Sequence, residues 1–259
     1  MTKELKTAIS IIKKTNRILK RKFQRNGTAV LKYKDQTEIV TKVDMEINEY
    51  IIKEIKKVFP DHNIISEEAD KIDNHSDSTW YIDPIDGTSN FSYGFPEFAT
   101  CLGFAKNNNL QLGVIGLPQI GDVCYAEKTA GAKCNGKKIK VSGVSSLDKS
   151  MLLVCRGHAE KSRLMFVEFF EKIKMRRCRL RMFNSAGIEL SAVANGQADG
   201  CVLAGIKDWD VAAGVVLIRE AGGKATNFKG EDWKQGDDTI VASNGLIHNE
   251  LIELTKNIS

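Results

Sequence analysis

Histidine is scarce. His62, His75, His158 and His248 are the only four in 259 residues, and they stand far apart. No pair has zinc-site spacing, so imidazole-based metal chemistry is not expected. The six cysteines, Cys101, Cys124, Cys134, Cys155, Cys178 and Cys201, include no Cys-x-x-Cys, and most lie in apolar runs. Free cysteine in such runs behaves as a small core residue, and a reducing cytoplasm is the simplest reading. Long hydrophobic stretches are missing as well. Met1-Thr2-Lys3-Glu4-Leu5-Lys6 has no apolar signal core, and no run approaches membrane-span length, so neither a leader nor a membrane contact is expected. There are no internal repeats and no low-complexity segment. Neither sign of charge dominates: the net charge of +5 suits an anionic small substrate without requiring one. With 42% hydrophobic and 27% charged residues, the chain is an ordinary globular protein, long enough for one large domain or two intimate halves.

Helical spacing of Leu5, Ile9, Ile12, Leu19 and Phe23 predicts an amphipathic surface helix. The polar stretch Lys32–Thr37 reads as a loop. A second helix follows Asp44, with Ile47, Ile51, Ile55 and Phe59 on one face and Asp44 in the cap position. Asn63–Ser66 and Trp80–Ile82 read as strands flanking a polar loop from Asp70 to Ser78. Phe98–Ala105 and Leu110–Leu117 form a hairpin, followed by strands at Asp122–Glu127 and Lys137–Val141. Val144 to Lys149 is a candidate seam, so that an α+β half spans 1–144 and an α/β half 145–259, together one compact catalytic unit. In the second half, strands at Met151–Cys155, Arg177–Met182, Asp199–Leu203, Lys224–Asn227 and Thr239–Ala242 alternate with helices. The helices are Glu160–Ile173 (stripe Leu164, Val167, Phe170, Ile173), Ser185–Asn195 and Asp210–Ala221, and Leu246–Lys256 closes the chain. Such alternation argues for layered sheet and helix.

The chemistry concentrates at Trp80-Tyr81-Ile82-Asp83-Pro84-Ile85-Asp86-Gly87-Thr88-Ser89-Asn90-Phe91. Pro84 fixes φ and lacks a donor, so two acids meet at a bend on a strand end. Hard divalent cations favour such oxygen ligands. Gly87 permits unusual φ, and a helix starting at Thr88 would present N–H groups suited to phosphate. For a bare Asp-x-x-Asp, an acidic turn capping a helix is the simpler account. Glu67 at another strand end, Asp210 at a helix start, and Asp44 are further acids in comparable settings.

That twelve-residue stretch resembles the first signature of the inositol monophosphatase family. Trp209-Asp210-Val211-Ala212-Ala213-Gly214, running to Glu220-Ala221-Gly222-Gly223, resembles the second. Ile65-Ser66-Glu67-Glu68 and Val40-Thr41-Lys42-Val43-Asp44 match its upstream elements in order. The resemblance implies a layered αβαβα sandwich of mixed α/β class and a Mg²⁺-dependent phosphomonoesterase. Two to three ions are implied, on Glu67, Asp83, the Ile85 carbonyl, Asp86 and Asp210. It further implies an attacking water polarised by Glu67 and Thr88, with Asp44 bonded to Thr88, and phosphate received by the Gly87 and Thr88 N–H groups. The alcohol part would meet Ser185, Ala186 and Asp210. Lys34 would belong to a mobile segment closing the metal site, and Lys207 could meet a second phosphate. Where inositol-hydrolysing relatives carry a glutamate, gapless counting reaches Leu203, which offers no acceptor. Inositol 1-phosphate or a similar small phosphorylated polyol or sugar is therefore a first reading. Fructose 1,6-bisphosphate, histidinol phosphate and adenosine 3′,5′-bisphosphate are alternatives. A homodimer and lithium sensitivity are expected on the same ground.

A different reading is nucleic-acid binding through Lys13–Lys22 and Met175–Arg181, since some bacterial relatives act in RNA-polymerase complexes. Both runs lack interleaved aromatics, and their apolar residues alternate as in ordinary elements, so a solvated helix face and a half-buried strand are the expectation.

Overall fold

The structure, a computed structural model, describes residues 1–25, 32–33 and 39–258. The chain opens with helix α1 (Lys3–Arg25), a two-residue pairing of β1 (Lys32–Tyr33) with β2 (Ile39–Val40), and helix α2 (Lys42–Val58). There follow β3 (Asn63–Ser66), β4 (Ala69–Ile72), β5 (Ser78–Asp86), the short helix α3 (Thr88–Tyr93), β6 (Ala99–Lys106), β7 (Asn109–Leu117), β8 (Asp122–Glu127), β9 (Ala132–Cys134) and β10 (Lys137–Lys138). These eight strands, β3 to β10, form one sheet in the order β10-β9-β8-β7-β6-β5-β3-β4, antiparallel except where β3 runs parallel to β5.

After a 3₁₀ turn at Leu147–Lys149 come β11 (Met151–Arg156), α4 (Glu160–Ile173), β12 (Arg179–Arg181), α5 (Ala186–Ala194), β13 (Gly200–Ala204), α6 (Asp208–Glu220), β14 (Lys224–Thr226), β15 (Thr239–Ser243) and α7 (His248–Thr255). Their strands form a second sheet, β12-β11-β13-β15-β14.

Strand alternation sorts the apolar residues into three cores, which define five layers. Leu102, Val114 and Val123 turn one face of the first sheet onto Ile12 of α1 and Ile47 and Ile51 of α2. Cys101, Ile115 and Cys124 turn the other face toward Leu190 of α5 and Val215 of α6, which also cover Cys201 and Leu203 of the second sheet. Val154, Val202 and Val241 face α4 and α7 on the far side. The αβαβα sandwich is the architecture observed.

Helix α6 lies against the first sheet almost backbone to backbone. A Cβ on Gly113 would stand 2.2 Å from the Ala213 carbonyl oxygen, and one on Gly103 2.9 Å from Ala212 Cβ. Those two bare positions let α6 approach closely enough to bring its first turn beside the end of β5.

Several expectations are corrected. The cap of α2 is Thr41; Asp44 stands three residues on and completes a capping box. The polar loop after Glu68 contains β4, an exposed edge strand without apolar alternation. A strand at Lys137–Val141 shrinks to the two residues of β10, and β9 precedes it. Helix α4 keeps its predicted bounds but turns another face inward: Met165, Phe169 and Ile173 are buried, whereas Leu164, Val167 and Phe170 are exposed. Two apolar stripes one residue apart fit its sequence equally well, and the sheet selects one. Cys124 and Cys134 are not free: they face each other across β8 and β9 and are joined as a disulfide, leaving four free cysteines. Their ten-residue separation conceals a cross-strand pair. Among the described residues no helix is long and apolar enough to cross a membrane.

Candidate active site

The end of β5 is irregular. Asp83 pairs with Cys101 of β6, but Asp86 pairs with Ala99, so β5 carries one extra residue. In a regular strand, residues three apart point to opposite faces. The bulge resets the alternation and turns both carboxylates to one side. Pro84 fits because a bulge needs no ladder donor there, and its carbonyl accepts from Thr100 Oγ1 at 2.9 Å. Gly87 follows with φ of +87°, the left-handed region, and caps α3.

Both acids open onto a cleft of about 730 Å³ between the two sheets. Glu67, Asp83, Ile85, Asp86, Gly87, Thr88, Ala186, Lys207 and Asp210 all line it. Glu67 follows β3 because β3 is parallel to β5, so both strands end at the same edge. Asp210 comes from the first turn of α6, its Oδ2 accepting from the Lys207 N–H at 2.7 Å.

Three of these acids differ in how they are held. Asp86 accepts from the Ala186 N–H at 3.0 Å, from the Gly187 N–H at 2.7 Å, and from the Ser185 hydroxyl. The N-terminus of α5 thus clamps it, as helix dipole and free N–H groups favour. Asp83 is buried, and among the described residues its Oδ1 has no hydrogen-bond partner; its carboxyl group is hydrogen-bonded to Glu67. Asp44 is buried behind Thr88. Its Oδ1 lies 3.0 Å from Thr88 Oγ1, while its Oδ2 accepts from the Thr41 N–H at 2.8 Å and from the Thr41 hydroxyl. Thr88 Oγ1 also lies 2.9 Å from the Ile85 carbonyl oxygen.

The electrostatics of these carboxylates follow mainly from burial. Burial, with Glu67, Asp86 and Asp210 nearby, pushes Asp83 well above the usual carboxylate range. Burial raises Asp86 to about 6 against the opposing hydrogen bonds of Ser185, Gly187 and Ala186. It raises Asp210 to about 7 and Asp44 to about 6. Four acids on one cleft cost free energy together, and a cation among them would relieve that cost. Among the described residues, no three His, Cys, Asp or Glu side chains are already drawn into a metal-holding group. The donor set is nonetheless all oxygen, with one buried carboxylate oxygen unpartnered, which fits a hard divalent ion.

Some sequence-derived site residues have different surroundings from those expected. Ser185 is fully buried, and its hydroxyl and the Ala186 N–H are already engaged by Asp86. Leu203 is buried in the core between the sheets; the cleft wall beside it is Ala204, Gly205 and Ile206. Lys34 lies outside the described residues.

The residues that sequence reasoning passed over come from the second sheet. Arg156, His158 and Lys161, from the end of β11 to the first turn of α4, line the same cleft as the acids. Their signal was a polar run at the carboxyl end of a central parallel strand, a common ligand-binding position in such sheets. Glu189 was missed as well. It is fully buried on α5, its Oε1 accepts from the Phe183 N–H at 3.0 Å, and its Oε2 has no partner. It holds the turn at Asn184 (φ +55°) that delivers Ser185 to Asp86.

Residues 1–259 match the model of the inositol monophosphatase family. A fructose-1,6-bisphosphatase/inositol-1-monophosphatase of Thermotoga maritima is 37% identical over 221 residues, covering 85% of this chain and 84% of the relative. The Nus factor SuhB of Xylella fastidiosa is 35% identical, covering 93% and 90%. The solved structure of a Thermotoga maritima IMPase superimposes with a TM-score of 0.89 at 33% identity, covering 99% of this chain and 98% of that one. With the bulged acidic strand end, the facing α6 acid and a match over the whole length, this chain belongs to the inositol monophosphatase family and is a phosphoric monoester hydrolase.

Proposed function

We propose that the chain hydrolyses a small sugar or polyol phosphate with magnesium held by Glu67, Asp83, the Ile85 carbonyl, Asp86 and Asp210. The observation that carries the metal assignment is Asp83: a buried carboxylate with an unpartnered oxygen, among three other acids. When bound, magnesium neutralises phosphate charge and makes water acidic enough to act as a nucleophile at neutral pH.

The protein's own groups do the positioning. Thr88 has one hydroxyl proton. Donated to Asp44 at 3.0 Å, it leaves the oxygen lone pairs free to accept from a water in the cleft. Asp44 is fixed for this by its second oxygen on Thr41. Glu67, beside Asp83 at the same sheet edge, takes the proton from that water's other side. The Gly87 and Thr88 N–H groups receive phosphate oxygens. Ser185 and Ala186 act through Asp86, keeping its carboxylate aimed into the cleft.

Inositol 1-phosphate is the first substrate to test. A second reading has a specific observation behind it: Arg156, His158, Lys161 and Lys207 line the same cleft as the acids. A substrate with a second phosphate, such as fructose 1,6-bisphosphate, would find its counter-charges there. The Thermotoga maritima relative carries both activities in its name. The name Nus factor belongs to the Xylella relative. The basic runs here do not favour a nucleic-acid role: Lys22 pairs with Glu46 at 2.5 Å, and Arg176 lies near Asp148 and Glu250. A homodimer and lithium inhibition are further expectations, open to sizing chromatography and lithium titration.

The deciding experiment measures phosphate release with magnesium from inositol 1-phosphate, fructose 1,6-bisphosphate, histidinol phosphate and adenosine 3′,5′-bisphosphate. One substrate well ahead of the rest names the class. Negligible release from all four rejects the substrate assignment.

A further inference from the structure

A second cleft of about 560 Å³ opens beside the last turn of α6, between β14, the turn after it and the start of α7. It shares no lining residue with the acidic cleft. Asp210 and Arg219 mark the two ends of α6, nine residues and about 14 Å apart along its axis.

Arg219, Lys224 and Lys229 line this second cleft, with Asp232 as the one acid. Among the described residues, none of these four charged groups forms an ion pair within 4.0 Å. The nearby Glu231 is held instead by Asn227 Nδ2 at 2.9 Å. Arg219 is not a free-swinging side chain: its Nη2 donates to the Trp233 carbonyl at 2.9 Å and to the Ala225 carbonyl at 3.3 Å. One edge of the guanidinium is thereby anchored, and its other donors remain available. The floor is neutral. His248 is buried, with Nε2 3.0 Å from Thr226 Oγ1 and Nδ1 2.8 Å from Ser243 Oγ. Three cations and one acid lining a single cavity leave it with net positive charge, which a multiply charged anion would neutralise.

From this anchored arginine, the two unpaired lysines and the cavity they line, we propose a binding site for a small phosphate-bearing polyanion, separate from the acidic cleft. The site needs no metal. In the acidic cleft, by contrast, the carboxylates oppose an anion until a metal is bound, and only the basic side chains that share the cleft attract one.

That difference makes the test clean. Binding of inorganic pyrophosphate to the full chain is measured by calorimetry in metal-free, EDTA-containing buffer. The expected result is one saturable site. In K224E/K229E, binding weakens at least about tenfold, as loss of two charge-assisted contacts implies. The control K137E/K138E makes the same charge change on exposed β10 and stays within about twofold of the parent. Thermal melts and magnesium-dependent turnover show that both variants are folded. Absence of saturable binding, or equal loss in the two double variants, overturns the proposal. Because the measurement is metal-free, neither outcome depends on which phosphomonoester the acidic cleft cleaves.

Discussion

The two walls of the active-site cleft are built differently. On the wall from the first sheet, Asp86 accepts several hydrogen bonds, as does Asp44 of α2 behind Thr88, and Asp83 is sealed in with an oxygen unpartnered among the described residues. On the wall from the second sheet, His158, Lys161 and Lys207 are exposed side chains on loops and helix starts. A wall that performs one reaction must be rigid and can tolerate electrostatic strain. A wall that only recognises the rest of a substrate can be built from solvated, adjustable charges. The contrast predicts that substitutions on the first wall change turnover and metal-linked stability, whereas those on the second change preference among substrates.

The largest effect is expected at Asp83. Asp83→Asn keeps the side-chain shape but removes a charge. Loss of several kcal/mol of metal-dependent stabilisation would lower kcat/KM by about a thousandfold or more. The same change removes a buried repulsive charge, so the metal-free variant should melt at a higher temperature than the parent. Phosphate release with magnesium and thermal melts without it check both halves. Retained turnover, or a lower metal-free melting temperature, would break the contrast between the walls.

Glu189 sharpens the contrast because it never reaches the cleft. Burial holds its carboxyl well above the usual range, so glutamine is a close mimic of it. Glu189→Gln should preserve folding and activity. Glu189→Ala leaves the half-buried Phe183 N–H without its acceptor, at about 1–3 kcal/mol. Through the Asn184 turn it loosens the clamp on Asp86, and activity should fall by about tenfold to a hundredfold. Equal loss in both variants would mean that the charge, not the acceptor, matters.

The legibility of this molecule follows the same division. Asp83, Asp86 and Asp210 lie in two contiguous stretches that resemble family signatures, so they could be named as candidates from the sequence. That Asp83 and Asp86 face the same way could not be read, because it depends on a bulge defined by pairing with Cys101 and Ala99 of another strand. The second wall was illegible because Arg156, His158 and Lys161 become neighbours of the acids only when two sheets stack. Helix α4 shows a similar limit: its bounds were readable from local periodicity, but its buried face depends on the sheet beneath. Ser185 was readable as a helix cap, yet its hydroxyl also serves Asp86, 99 positions earlier.

A pH series tests how much strain the first wall stores. The folded-state values of Asp44 and Asp86, about 6, and of Asp210, about 7, lie above the ordinary 3.8. Between those limits the folded, metal-free protein binds more protons than the unfolded chain. This contribution is fully present below about pH 4 and is lost as pH rises through 6 to 7. Magnesium should offset the loss. The gap between magnesium-loaded and metal-free melting temperatures should therefore widen from pH 5 to 7.5. His248 shifts in the opposite direction, down to about 4 by burial, but it contributes equally to both samples and cancels in the gap. A gap independent of pH would show that the acids do not share the metal.

The smallest effect belongs to the second wall. Lys161 lies 3.1 Å from Asp238, and both side chains are more than half exposed, 62% and 55%. A pair that open contributes at most about 1 kcal/mol, so breaking it should leave the melting temperature almost unchanged. Its consequence is for recognition. Asp238 competes with any second phosphate for the Lys161 ammonium. Asp238→Asn should therefore lower KM for fructose 1,6-bisphosphate by about twofold to fivefold and leave inositol 1-phosphate unaffected, while Lys161→Ala should raise the first KM by a similar factor. Opposite shifts confined to the bisphosphate would establish the second wall as the recognition surface. Parallel shifts on both substrates would instead place Lys161 with the phosphate that is cleaved, and the separation of the two walls would fail at that residue.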